Sequence, residues 1–155
     1  NQQRILENTL ALMKGVSKSP YSQVPLYLLG TSLGSSVATY AALNNPANGL
    51  ILFSPFWSVN RAGSERYPFL PIQLMNRNPF PSHQWAGKIS IPTVIFHGDQ
   101  DRVIPIRHGK DLARAFPEIA EFYTISGAGH NDIFLVGEKT ILSELKKFIQ
   151  RTLKK

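Results

Sequence analysis

The chain has 155 residues, of which 43% are apolar, and its formal net charge is +7. This length and apolar content predict one globular domain, residues 1–155, and exclude a disordered chain. No apolar run approaches the roughly 20 residues that cross a bilayer, and the absence of cysteine excludes disulfides and thiolate metal sites.

Strand and helix patterns alternate along the chain, which predicts an α/β fold with a parallel sheet. The predicted strands are short and largely apolar, and comprise residues 24–30, 49–55, 91–98 and 120–126. The predicted helices are residues 2–15, 33–43, 107–116 and 140–153. An apolar stripe at helical spacing marks the last helix, at Leu142, Leu145, Ile149 and Leu153. We expect about four parallel strands in sequence order, with helices on both faces.

The opening sequence NQQRILENTL lacks the charged and apolar regions of a signal peptide. It begins without methionine inside a helical pattern, so we expect an upstream part of the protein to be missing. Residues 57–90 interrupt the strand and helix alternation with four prolines and five aromatic residues. We expect this segment to form a cap, a lid or part of an acyl-binding wall, with plain core packing as the alternative.

The sequence GTSLG at residues 30–34 fits the pattern G-x-S-x-G between a predicted strand and a predicted helix. A sharp strand-to-helix turn strains the serine backbone, and the flanking glycines Gly30 and Gly34 are expected to avoid collisions in the bend. Ser32 is therefore a candidate nucleophile, and the N–H of Leu33 is a candidate oxyanion donor. The alternative is a small residue in a tight turn, because the pentapeptide alone is weak evidence.

Candidate partners for Ser32 follow the third and fourth predicted strands. The sequence HGDQDRVIP after the third strand contains Asp99 and Asp101, which compete as the acid that orients a histidine. The sequence GAGHND after the fourth strand contains His130. Open α/β sheets build their sites at the carboxyl ends of the strands. The order serine, acid, histidine, each after its own strand, is that of an α/β-hydrolase.

The remaining histidines show no catalytic pattern. We expect a structural role for His97 at a strand end, and surface positions for His83 and His108. No spacing such as H-E-x-x-H indicates a metal site, and GTSLGSS lacks the G-K-[ST] of a phosphate-binding loop. The sequence therefore predicts neither a metal nor a cofactor.

The chain resembles the carboxyl-terminal part of serine α/β-hydrolases, in particular the Bem46-like group with its ABHD13 and ABHD17 type proteins. The matching stretches are GTSLGSSVATYAA, GLILFSPF, RYPFLP, IPTVIFHGDQDRVIPIRHGKDLARAF and GAGHNDI. The resemblance implies that Ser32 is the nucleophile, His130 the base and Asp101 the acid, with Asp99 in a turn. Leu29 stands where the group usually has tyrosine or phenylalanine, a difference expected to alter packing more than chemistry. The resemblance also implies earlier strands and a second oxyanion donor that these 155 residues do not contain.

The expected function is a serine hydrolase that cleaves carboxylic esters or thioesters of a small acyl substrate through an acyl-enzyme. The alternatives are a fragment of a prolyl-oligopeptidase-type peptidase and a truncated hydrolase that binds without catalysis. The basic residues of the segment 139–155 lack an accompanying nucleic-acid motif, so no nucleic acid is expected. Charge alone gives no support for contact with a membrane surface.

Overall fold

The computed structural model describes residues 1–117 and 120–153. These residues form a four-stranded sheet in the order β1-β2-β3-β4, in which all neighbouring strands are parallel. The strands are β1 (Tyr27–Thr31), β2 (Gly49–Phe53), β3 (Thr93–Gly98) and β4 (Ala120–Ile125). The predicted order and direction of the strands are therefore confirmed.

Helices connect the strands and flank the sheet. They are α1 (Gln2–Ser17), α2 (Leu33–Asn44), α3 (Val59–Arg66), α4 (Ile72–Met75), α5 (Ser82–Ala86), α6 (Arg107–Ala115) and α7 (Ile133–Thr152). Three short helices, α3 to α5, occupy the proline-rich segment 57–90. Within residues 1–117 and 120–153, no helix combines the length and apolarity needed to span a bilayer.

Two apolar cores lie on opposite faces of the sheet because neighbouring side chains of a strand point to opposite faces. In β2, Leu50 and Leu52 join a core with residues of α2 and α6, whereas Ile51 and Phe53 join a core with residues of α7. Every residue of β2 and β3 is buried. Coverage on both faces explains why these strands are apolar nearly throughout.

The predicted apolar stripe of the last helix is confirmed at Leu145 and Ile149, which pack against the core, but is wrong at Leu142 and Leu153. Helix α7 begins at Ile133, and its buried residues are Ile133, Gly137, Ile141, Phe148 and Thr152. Leu142 is 61% exposed and Leu153 is 49% exposed. The rotation of the helix follows from Phe148, whose ring lies against Gly49, where a Cβ would lie only 2.8 Å from Cε1. Burial of this large ring therefore decides which face of α7 meets the sheet, and the spacing of the leucines does not.

The loops that leave β3 and β4 are in direct contact. A Cβ placed on Gly98 would lie 2.2 Å from the carbonyl oxygen of Ala128, so only glycine permits this approach. The N–H of Gln100 donates to the same carbonyl at 2.9 Å. The carboxyl ends of β3 and β4 thus hold the loop that contains Asp101 beside the loop that contains His130.

Candidate active site

Ser32 occupies the turn between β1 and α2 in a strained conformation. Its φ is 51° and its ψ is −120°, in a region that residues with a side chain rarely adopt. The N–H of Ser32 donates to the carbonyl of Phe53 at 3.0 Å, which ties the turn to the end of β2. A strand, a strained serine and a helix in immediate succession form the turn that the G-x-S-x-G pattern predicts.

The two glycines around Ser32 differ in how tightly their surroundings enclose them. A Cβ on Gly30 would lie 2.3 Å from the carbonyl oxygen of Gly34 and 2.6 Å from the Cα of Ser35. A Cβ on Gly34 would meet no atom within 4 Å. The expected collision is therefore found at Gly30 but not at Gly34, because Gly34 faces outward in the first turn of α2.

Ser32, His130 and Asp101 form one chain of hydrogen bonds. The Nε2 of His130 lies 3.0 Å from the Oγ of Ser32, and its Nδ1 lies 2.7 Å from the Oδ2 of Asp101. A carboxylate only accepts, so Nδ1 carries the proton and the lone pair of Nε2 faces the serine hydroxyl. The structure thus brings together three residues separated by up to 98 positions in the chain.

Asp101 is 6% exposed, and both of its oxygens are engaged. Its Oδ1 accepts from the N–H groups of Val103 at 2.9 Å and Ile104 at 2.8 Å. Burial acts to raise the pKa of Asp101, but hydrogen bonds from His97, His130 and the Ile104 N–H outweigh it and hold the pKa well below its usual range. The carboxylate is therefore charged where it faces His130.

Asp99 has a different role in the same loop. Its Oδ1 accepts from the N–H of Gly127 at 2.8 Å, and its Oδ2 accepts from the hydroxyl of Ser126 at 3.3 Å. Gly127 has a φ of 78°, which suits glycine. Asp99 holds the turn before His130, and Asp101 contacts His130 itself.

His97 is buried in β3, next to Asp101. The Nε2 of His97 lies 2.8 Å from the carbonyl oxygen of Ile104 and 3.4 Å from the Oδ2 of Asp101. Its Nδ1 has no hydrogen-bond partner among the described residues. His97 thus braces the loop that carries the acid, in keeping with the structural role expected for it.

The surface positions expected for His83 and His108 are wrong. His108 is fully buried, with Nε2 2.9 Å from the Oε2 of Glu65, and its Nδ1 accepts from the N–H of Trp57 at 3.5 Å. His83 is half-buried and stacks on the Trp57 ring with centroids 4.5 Å apart. Contacts with segment 57–90 account for both positions, because His108 contacts Glu65 of α3 and His83 contacts the carbonyl and ring of Trp57.

Glu65 is the centre of the contact between α3 and α6. Its carboxylate accepts from Arg61 at 2.9 Å, and Arg107 and His108 contact its other oxygen. Burial acts to raise the pKa of Glu65, but these three partners outweigh it and lower the pKa to about 2. Burial lowers the pKa of His108, and the contact with the Glu65 carboxylate offsets part of this shift.

Sequence reasoning missed the strained backbone of Ser54, which follows β2 beside the Ser32 turn. Ser54 has a φ of 43° and is fully buried, and its hydroxyl has no partner in the described part of the chain. Phe80 also has a positive φ, of 39°. Neither position carries a sequence signal, because a serine or phenylalanine within FSPF or NPFP is compatible with ordinary backbone conformations.

The candidate oxyanion donor is the residue that directly follows Ser32 in the chain. Leu33 is the first residue of α2, so its N–H belongs to those without an intrahelical acceptor and lies at the positive end of the helix dipole. Exposed apolar side chains follow Ser32, Asp101 and His130 in the chain. They are Leu33, Val103, Phe134, Leu135 and Val136.

Among residues 1–117 and 120–153, no group of three or more histidine, aspartate or glutamate residues is placed to hold a metal.

Comparison with known proteins identifies the class. Residues 77–135 match the family described as alpha/beta hydrolase fold. Est1E from Butyrivibrio proteoclasticus superposes with a TM-score of 0.72 and 20% identity, covering 97% of this chain and 70% of that chain. A putative non-heme bromoperoxidase of Mycobacterium tuberculosis gives a TM-score of 0.71 with 17% identity, covering 98% of this chain and 75% of that chain. The chain therefore has the α/β-hydrolase fold, and residues 77–135 match the family model of that fold.

The relatives in sequence confirm the narrower resemblance. Alpha/beta hydrolase domain-containing protein 17C of Homo sapiens is 31% identical over 132 residues, which are 83% of this chain and 37% of that protein. An uncharacterised protein of Mycobacterium tuberculosis is 30% identical over 123 residues, which are 79% of this chain and 44% of that protein. The chain therefore spans less than half the length of these curated relatives.

The steric difference between the two glycines gives the first prediction. Gly30→Ala forces a Cβ onto the backbone of Gly34 and Ser35, so we expect it to lower the free energy of unfolding by at least ~2 kcal/mol. Gly34→Ala places its Cβ in open space within a helix, so we expect no loss and a gain of up to about 1 kcal/mol. Thermal and urea denaturation measure both. Equal destabilisation by the two substitutions would contradict the packing described for the turn.

The lowered pKa of Asp101 gives the second prediction. A depressed pKa contributes stability above the unfolded value of about 3.9, and this contribution is lost as the pH falls toward the folded value. We expect Asp101→Asn to reduce the free energy of unfolding at pH 7, and the gap to shrink as the pH falls below about 4. Urea denaturation across this pH range measures the gap. A gap that stays the same between pH 7 and about pH 3 would contradict the assignment to Asp101.

Proposed function

We propose that the chain is a serine hydrolase that cleaves carboxylic ester or thioester bonds through an acyl-enzyme intermediate. The observation that carries the proposal is the continuous hydrogen-bond chain from Ser32 through His130 to Asp101. A core or turn role for these residues requires neither a strained serine nor a histidine that links it to a buried carboxylate. The order and roles match the nucleophile, base and acid of serine hydrolases.

The geometry supports the following acylation step. The Nε2 of His130 takes the proton of Ser32 as Oγ attacks the substrate carbonyl carbon. The carbonyl oxygen becomes negative, and the N–H of Leu33 stabilises it. His130 then gives the proton to the leaving alcohol or thiol as the bond between that group and the carbonyl carbon breaks. Asp101 stabilises the positive charge of His130 throughout this step.

Deacylation repeats the same proton movements with water. His130 takes a proton from water, whose oxygen attacks the carbonyl carbon of the acyl-enzyme. The bond from that carbon to Oγ breaks, Ser32 regains its proton from His130, and the carboxylic acid leaves. Exposed apolar side chains follow Ser32, Asp101 and His130 in the chain, and they support an acyl group as the part of the substrate that the site holds.

A second oxyanion donor affects the expected rate. The resemblance to serine α/β-hydrolases implies an N–H group from a further loop, and loss of one donor typically lowers turnover by ~10²–10³. We therefore expect weak labelling by a fluorophosphonate and weak hydrolysis by the 155-residue chain. A longer chain that supplies this loop is expected to react strongly.

Labelling by a fluorophosphonate probe tests the proposal. We expect Ser32→Ala and His130→Ala each to abolish labelling, because one removes the nucleophile and the other its base. Ser143→Ala, which removes an exposed serine from α7, is the matched control and should label as the unchanged chain does. Circular dichroism checks that every variant is folded.

Hydrolysis of a short-chain ester, a thioester and a prolyl peptide amide separates the reaction classes. We expect cleavage of the first two in a Ser32-dependent manner. Cleavage of the prolyl amide alone would favour the peptidase alternative. A longer chain that supplies both oxyanion donors can also be tested. If it folds and binds acyl ligands but does not react with the fluorophosphonate, Ser32 is only a turn residue and the protein is a binding module.

A further inference from the structure

An exposed apolar surface lies in segment 57–90, between α3 and α5. We define the apolar tip as the exposed residues Tyr67, Phe69, Leu70, Leu74 and Met75. Phe69 is 96% exposed and Leu74 is 88% exposed, although both side chains are large and apolar. Single exposed apolar residues are common, but five within nine positions mark an interaction surface.

The fold of the segment presents these side chains outward. Ile72 of α4 lies against Gly63 of α3, where an added Cβ would be 3.0 Å from its Cγ2. The Nδ2 of Asn76 donates to the Oδ1 of Asn60 at 2.7 Å, and the N–H of Tyr67 donates to the carbonyl of Gly63 at 2.8 Å. These contacts fix α4 on α3 through Ile72 while Phe69 and Leu74 point away from the body.

Positive charge borders the apolar tip. Arg66 and Arg77 stand on either side of it and are exposed. From residue 66 to residue 98 the chain contains no aspartate or glutamate. The preceding acid, Glu65, is paired with Arg61 and Arg107. Arg77 shares a cleft with Glu7 of α1, but the two arginines together leave a net positive charge beside the tip, which favours an anionic partner.

We propose that the apolar tip inserts into the headgroup region of an anionic lipid bilayer, with Arg66 and Arg77 facing lipid phosphates. Lipid is favoured over a folded partner by the size and shape of the surface. A stable protein interface takes about 20–30 residues on each side, whereas the tip comprises five exposed apolar residues within a short segment. Fluid lipid accommodates protruding aromatic and aliphatic side chains without a complementary surface, and anionic headgroups attract the flanking arginines. The proposal is independent of the reaction at Ser32.

Cosedimentation of the 155-residue chain with lipid vesicles tests the proposal. The vesicles are either pure phosphatidylcholine or an equal mixture of phosphatidylcholine and phosphatidylserine. We expect binding to the mixed vesicles that weakens as salt is added, because salt screens the attraction between arginines and headgroups.

Substitutions in the tip separate its apolar and charged parts. We expect Phe69→Ser combined with Leu74→Ser to lower the partition coefficient on mixed vesicles by at least about tenfold. We expect Arg66→Gln combined with Arg77→Gln to lower it by about tenfold or more on mixed vesicles and to leave binding to pure phosphatidylcholine unchanged. All four side chains are exposed, and thermal denaturation verifies that the variants are folded.

Two controls identify other sources of binding. Leu142→Ser removes an exposed apolar side chain from α7 and should leave the partition coefficient unchanged. Lys146→Gln combined with Lys147→Gln removes charge from α7 and should have less effect than the arginine pair. A lysine effect alone would assign binding to α7 and overturn the proposal.

Two further results would overturn it. One is a lack of binding by the unchanged chain to mixed vesicles at low salt. The other is self-association that sedimentation velocity detects without lipid and that Phe69→Ser combined with Leu74→Ser removes. That second result would assign the tip to contact with another copy of the chain.

Discussion

The hydrogen bonds to the carboxylate of Asp101 hold the candidate site together. One oxygen accepts two backbone N–H groups and fixes the path of the chain after β3, and the other faces His130. Because a carboxylate cannot donate, its contact with Nδ1 determines which nitrogen of His130 is protonated. That protonation leaves the Nε2 lone pair directed at Ser32. A change at Asp101 would therefore alter both the loop and the orientation of the histidine.

Parallel strands in sequence order give Asp101 its partners. Each strand ends at the same edge of the sheet, so the segments after β1, β3 and β4 meet there although they are distant in the chain. β2 and β3 are buried on both faces, and the close approach at Gly98 fixes the spacing of two of the loops. The geometry of the three side chains is thus a property of the whole sheet.

The strands, Ser32 and His130 could be predicted from local signals, whereas the choice of Asp101 over Asp99 came from the resemblance to α/β-hydrolases. Apolar runs mark the strands, and the position of Asp101 before Val103 and Pro105 fits a known pattern. The environment of His108 could not be predicted, since it depends on Glu65, 43 positions away in the chain. Leucine spacing also placed Leu142 and Leu153 wrongly on the buried face of α7. The ring of Phe148 packs beside Gly49, and this contact decides which face of α7 turns toward the sheet. Contacts between distant elements carry no local signal.

The positive φ of Ser32 has a consequence for how the sequence can change over generations. A side chain in this region of backbone space costs on the order of 1–3 kcal/mol, whereas glycine adopts it readily. Ser32→Gly would therefore relieve strain while removing the hydroxyl that faces His130. Mutational drift governed by stability alone would favour glycine at this position. A serine there is consistent with selection for its hydroxyl at the expense of a more stable fold.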